Sequence, residues 1–249
     1  MSSNDEINAL KKEIKDLLKE AKKLSSKRKN QDASADTSSK RSKVEEKTAH
    51  IVLCVDRSGS MRTYNAFDNT SDAITDIPKE RGENARISFM TFDDKIEWHG
   101  KNMLAKSFKP PPESMSPRGT TALRDAIMES IKHSNQEEYK DMQKYIIIFT
   151  DGYDNVSKTS VQSLKAVIEK AKSNGIDFTF LAAGEADFID VSSVGIEHKD
   201  MLKVGKSNRS MNSSLKRSMG KRAGGFTKED RDDVDSDDDS DKNPVVTSL

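Results

Sequence analysis

Three hard oxygen side chains stand at alternate positions in Asp56-Arg57-Ser58-Gly59-Ser60, directly after the apolar run His50–Val55. Gly59 lets such a turn tighten, so one carboxylate and two hydroxyls can converge on a single cation. Two later stretches offer oxygen in comparable places: Gly119-Thr120-Thr121 opens a helical pattern, and Thr150-Asp151-Gly152 closes the apolar run Tyr145–Phe149. Hydroxyls and carboxylates without nitrogen or sulfur suit a hard ion such as Mg2+, which prefers octahedral oxygen coordination near ~2.1 Å and releases water reluctantly. Mn2+ and Ca2+ also favour oxygen ligands. Other chemistries find less support. His50, His99, His133 and His198 occur in unrelated contexts with no paired spacing, which argues against zinc or a catalytic triad.

These oxygen-bearing positions need a frame that brings distant loops together. Short apolar strands are expected at His50–Val55, Ala85–Phe92, Lys95–Trp98, Tyr145–Thr150 and Ile176–Ala183, and helices at Ser71–Glu80, Ala122–His133 and Val161–Ser173, with further helices at Ala186–Val194 and Arg209–Met219. Strands that are apolar throughout and alternate with helices belong in a mostly parallel sheet covered on both faces. This is the doubly wound α/β class. Its ligands sit beyond the carboxyl ends of strands at the topological switch point, which directs attention to the loops after Val55 and Thr150.

Taken in order, the three oxygen-bearing stretches resemble the metal-ion-dependent adhesion site (MIDAS) of the von Willebrand factor A family. Ser116-Pro117-Arg118-Gly119-Thr120-Thr121-Ala122-Leu123-Arg124-Asp125-Ala126-Ile127 is similar to the segment carrying that family's metal threonine, and the following Ala-Leu assigns the role to Thr121. Phe180-Leu181-Ala182-Ala183-Gly184, followed by Ala186-Asp187 and Gly195-Ile196, is similar to the last strand and helix of compact stand-alone members. The resemblance spans residues 49–220. It implies that Ser58 and Ser60 ligate through hydroxyls, that Thr121 does so directly or through water, and that Asp56 and Asp151 hold bound waters. A sixth position is then left for a Glu or Asp of another protein, so the implied activity is protein binding and not catalysis. Asp154 and Asn155 are candidates to line the same partner-binding surface, and Arg57 is expected to point to solvent.

Composition bounds the rest. With 33% hydrophobic and 34% charged residues, the chain is too polar to fold throughout. Residues 1–28 read as a short amphipathic coiled-coil helix, 29–48 as a disordered basic linker, 49–220 as the folded domain and 221–249 as a disordered acidic tail. Ser3 and Glu6 form a capping box, after which Ile7, Leu10, Ile14, Leu17, Ala21 and Leu24 make a heptad seam, so residues 5–24 are expected to self-associate weakly. Cys54 is the sole cysteine, so no internal disulfide forms. No apolar stretch signals export or membrane insertion, and a cytoplasmic protein is expected. Lys27-Arg28 and Lys40-Arg41-Ser42-Lys43 resemble a bipartite nuclear-import signal.

Two other functions draw partial support from the chain. Residues 206–228 carry seven basic and no acidic side chains, which could contact nucleic-acid phosphates, but Phe226 is the only aromatic there for base stacking. A metal-dependent hydrolase is the other rival. A haloacid-dehalogenase-type phosphatase needs a second Asp where Ser58 stands, and a nucleophile elbow needs glycines where Asp56 and Ser60 stand.

Overall fold

The computed structural model describes residues 47–63, 66–151, 154–183, 188–204, 213–218 and 225–230. The expected coiled coil, nearly all of the linker and the acidic run beyond residue 230 lie outside the described residues. The described chain runs β1 (Ala49–Asp56), α1 (Ala66–Arg81), β2 (Arg86–Phe92), β3 (Ile96–Leu104), α2 (Leu123–Ser134), β4 (Gln143–Thr150), α3 (Val161–Ser173), β5 (Ile176–Ala183), α4 (Phe188–Ser193) and β6 (Met201–Val204).

The six strands form one sheet in the order β3-β2-β1-β4-β5-β6, parallel except for β3. Alternation along the apolar strands sends neighbouring side chains to opposite faces. Ile51, Leu53, Val55, Ile147, Phe149, Leu181 and Ala183 pack on one face with Ala73, Ile74 and Ile77 of α1. Val52, Cys54, Ile146, Ile148, Phe178 and Phe180 pack on the other with Ala126, Ile127 and Ile131 of α2 and Leu164, Ile168 and Ala171 of α3. This is the doubly wound arrangement the alternating pattern predicts.

Three elements depart from the sequence reading. β3 runs to Leu104 and not Trp98, although Gly100 and Asn102 look like turn residues. Register shifts opposite Phe89 absorb them, Asn102 takes φ 51°, and Phe108 packs so close to Gly100 that a Cβ there would lie 2.7 Å from its ring. β6 was not anticipated, since four residues are too few to show a period. The packed chain also continues past residue 220. Phe226 is buried in the α1-side core and its amide donates to the carbonyl of Lys199, 2.8 Å away. A capping box follows, in which Thr227 and Asp230 exchange hydrogen bonds.

The histidines also depart from expectation, because β1, β2 and α2 bring His50 and His133 together across Ser88. The Ser88 hydroxyl lies 2.9 Å from His50 Nε2 and 2.8 Å from His133 Nε2, and it accepts from the Asn102 amide at 3.0 Å. Tyr139 stacks on His50 with ring centroids 3.7 Å apart, and its hydroxyl lies 3.1 Å from His133 Nε2. All four side chains are buried.

Candidate metal centre

β1 pairs with β2 on one side and β4 on the other, so the chain reverses its order of addition between β1 and β4. Val55 is in register with Phe149, which sets the strand ends Asp56 and Thr150 side by side. The Thr150 hydroxyl donates to Asp56 Oδ2 and the Ser58 amide to Asp56 Oδ1 at 2.7 Å. From there a row of oxygens leads outward: Ser58 Oγ lies 3.1 Å from Ser60 Oγ, which donates to Asp151 Oδ1 at 2.8 Å. Asp56 and Ser58 are buried and Ser60 is exposed, so the row opens to the surface.

The third loop is stitched to this one through its backbone. Gly59 donates to the Gly119 carbonyl at 3.3 Å and Arg118 to the Arg57 carbonyl at 2.8 Å. Thr121, two residues on, is buried, whereas Thr120 is exposed. Asn155 grips Thr121 from the far side, taking its amide on Oδ1 at 2.9 Å and giving its own amide to the Thr121 carbonyl at 3.1 Å. Asp154 is engaged by Arg124 and Ser157. It accepts the Arg124 amide at 2.6 Å and pairs with the Arg124 guanidinium at 3.2 Å, capping the start of α2.

Burial is the main force on both acids. It pushes the Asp56 carboxyl up to about 6, with the Asp151 charge adding to it and hydrogen bonds from Thr150 and Ser58 opposing it. Asp151 is also raised by burial, against the hydrogen bond from Ser60. Among the described residues no Lys or Arg pairs with either. Two such carboxylates, linked by serine hydroxyls and uncompensated by a cationic side chain, fit a hard divalent cation. No group of three or more His, Cys, Asp or Glu able to hold a metal occurs among the described residues, so the donors here would be largely hydroxyls.

Arg57 corrects an expectation: it is 3% exposed and points into the protein. Its Nε donates to Asp93 Oδ2 at 3.0 Å, its Nη1 to the Ser114 carbonyl at 3.2 Å, and its Nη2 lies 2.7 Å from Glu97 Oε1. Asp93 Oδ2 also takes Arg118 Nε at 2.7 Å, and Arg118 Nη2 pairs with Glu97. Burial works against the Asp93 charge, yet the bonds from Arg118 and the Lys95 amide and the Arg57 charge outweigh it and hold the carboxyl below its ordinary range. The sequence reading missed Asp93 and Glu97 entirely. An Asp-Asp pair in a turn between two strands carries no spacing signal, and only the β1–β2 register places it beside Arg57.

Gly119 closes the junction of the two loops at φ 69°. A left-handed conformation disfavours any residue with a Cβ by roughly 1–2 kcal/mol. The Asp94 carboxylate oxygen 2.6 Å from a Cβ built there belongs to an exposed side chain that can swing aside, so strain is the larger cost. Gly119→Ala is therefore expected to destabilise the fold by about 1–2 kcal/mol. Urea unfolding, with an unchanged dependence on denaturant, measures this.

A doubly wound sheet with an Asp-x-Ser-x-Ser loop and two further oxygen-bearing loops at its switch point defines a known class of domain. Residues 50–210 match the von Willebrand factor type A domain, and the chain belongs to that family. Among solved structures it is similar to proximal thread matrix protein 1 from the mussel byssus, at 14% identity and a TM-score of 0.55, over 70% of this chain and 48% of that one. A second structure of the mussel protein, with a zinc-occupied MIDAS motif, matches at 14% identity and a TM-score of 0.54, over 70% and 46%. The ArnB paralog VWA2 from Sulfolobus acidocaldarius matches at 16% identity and a TM-score of 0.50, over 69% and 45%. At these identities the likeness is one of fold, and the aligned region spans about half of each neighbour's length. No curated protein sequence matches the chain.

Proposed function

We propose that this chain is a metal-dependent protein-binding module and not an enzyme, with Asp56, Ser58, Ser60, Thr121 and Asp151 holding Mg2+, or Mn2+ or Ca2+ in its place. The observation that carries this is the oxygen row from buried Asp56 through Ser58 and Ser60 to Asp151, open at its outer end and paired with no cationic side chain among the described residues. The zinc-occupied motif of the mussel protein supports a divalent ion on this fold. A bound ion would supply an electrophilic position for a Glu or Asp of a partner protein. The residues of the chain do the rest: Asp56 and Asp151 orient the hydroxyls, Asn155 fixes the Thr121 backbone from an exposed position beside the partner, and Asp154 holds α2 in place. Weak self-association through residues 5–24 and a cytoplasmic setting with nuclear entry complete the reading. The domain arrangement belongs to it too, with helix 1–28, linker 29–48 and the acidic tail beyond the packed chain. For the described residues, no helix is long and apolar enough to cross a membrane.

The rival readings lose ground on specific contacts. Phe226 is buried and unable to stack on a base, Lys216 pairs with Asp76 at 3.2 Å, and Arg217 donates to the Asp230 carbonyl. For hydrolysis a general base is needed beside Ser58 or Ser60, and the buried His50 and His133 are bound to Ser88 instead. Affinity capture by the full chain, with Mg2+ or with chelator, decides the matter. Partners retained only with Mg2+, and lost in Asp151→Ala, are expected. The same partners retained in chelator would make the site structural.

A further inference from the structure

Arg57 lies in sequence between Asp56 and Ser58, closer to the candidate metal site than any other cationic residue of the β1 loop. A guanidinium there is a natural competitor for a divalent ion, since it would pair with the carboxylates that the ion requires. In the structure it is drawn to the opposite side of the loop by Asp93, which is fully buried. That same carboxylate oxygen takes Arg118, and Arg118 is one residue from the Gly119 carbonyl that fastens the Thr121 loop to Gly59. One side chain thus governs where a competing charge goes and how two ligand-bearing loops meet.

We propose that Asp93 is a positioning residue for the metal centre, keeping Arg57 away from Asp56 and Asp151 and fastening the Thr121 loop through Arg118. This rests on the metal-binding reading above. Glu97 shares the task from the surface: it is 41% exposed and meets both guanidiniums. Burial of Arg57 is tolerable only while its charge is paired. Without the Asp93 charge, Arg57 turns outward toward Asp56 and Asp151.

Calorimetric titration of the full chain with Mn2+, alongside melting of the metal-free protein, tests this. Asp93→Asn should weaken Mn2+ binding roughly 10–100-fold, the range seen when groups that orient metal ligands are removed. Pairing it with Arg57→Gln should restore most of the affinity, because the released charge is then gone. A residue that merely held the fold would show no such rescue. Glu97→Gln, a half-exposed position that does not endanger folding, should weaken binding by about tenfold, the lower end of that range, at an unchanged metal-free melting temperature. Wild-type affinity in Asp93→Asn, or in Glu97→Gln should Asp93→Asn not fold, overturns the inference, as does a double variant no better than the single. If the wild type binds no Mn2+, or binds it equally after Asp56→Ala and Asp151→Ala together, the metal reading itself falls.

Discussion

Mg2+ at a hundredfold excess over its Kd should stabilise the wild-type chain by about 2.7 kcal/mol, and Asp151→Ala should lose nearly all of that gain. Asp56, Ser58 and Ser60 come from one loop, Thr121 from a second and Asp151 from a third, so they meet only when β1 and β4 are paired. An ion that binds the native state alone then shifts the folding equilibrium by mass action. For a domain of this size the gain corresponds to a rise in melting temperature of roughly 5–10 °C. The metal-free variant should melt close to the metal-free wild type. Removing Asp151 costs one hydrogen bond from Ser60, but it also relieves a neighbouring charge that raises the Asp56 carboxyl. Thermal melts with chelator or Mg2+ read both halves. Equal Mg2+ affinity in the wild type and in an Asp56→Ala, Asp151→Ala double variant would place the metal elsewhere.

The second large effect is a loss of stability in acid that originates at the opposite end of the sheet. Burial lowers the His50 imidazole to about 3, with the charges of His133 and Lys144 adding to it. His133 is lowered as well, by burial first and Lys101 next, while Glu138 and Glu129 pull the other way. Hydrogen-bond counting gives the same result. The Ser88 hydroxyl already accepts from Asn102, so it can donate to one imidazole and accept from the other only while the imidazole it donates to is neutral. A further proton would leave two N–H groups aimed at a filled oxygen.

In the unfolded chain a histidine binds its proton near 6.5, the ordinary value. His50 therefore contributes fully above that pH, and its contribution falls as the pH drops from 6.5 toward 3, by about 1.4 kcal/mol per unit. Near pH 4 this reaches about 3 kcal/mol, a large share of the 5–15 kcal/mol typical of a domain. Asp56 acts in the opposite sense. Its folded value is raised, so it favours the native state at low pH and loses that contribution as pH rises through about 6. Metal-free protein should show the histidine slope blunted between pH 6 and 4. Urea midpoints measured at intervals from pH 7 to 4 in chelator should fall by less than His50 alone dictates, because Asp56 offsets much of its slope below pH 6 while His133 adds to the fall. In His50→Gln, His133→Gln the decline should flatten, and an undiminished slope in that variant would rule out this cluster as its source.

The parts of this molecule legible in the chain are those whose signal is local. The strand cores of β1, β4 and β5 read directly, because a residue buried on both sheet faces leaves an unbroken apolar run. The Asp56-Ser58-Ser60 loop reads directly as well, since its oxygens are two residues apart. Asp151 becomes legible once the end of β4 is located, whereas Thr121 is singled out from Thr120 only by the resemblance of its segment to the family's. What could not be read depends on register between distant elements. Arg57 was expected in solvent because nothing near it is acidic except Asp56. Its actual partner, Asp93, reaches it only through parallel pairing of β1 with β2, where Asp56 is matched to Phe92. Ser88 joins His50 and His133 for the same reason. β3 extends past Trp98 because an irregular edge ladder tolerates the turn chemistry of Gly100 and Asn102.

Cys54 sits midway along β1, fully covered by side chains from α2 and α3, and burial raises its thiol well above the ordinary range. It is the chain's one thiol. Neither fraying of the edge strands nor movement of the metal loops exposes it; alkylation requires the central strand to part from its covering helices. Thiol chemistry on this protein therefore acts as a clock for whole-domain opening. Under native conditions the rate of labelling would report the population of the opened state, and any ligand that closes the switch point would slow that clock in proportion to how tightly it binds.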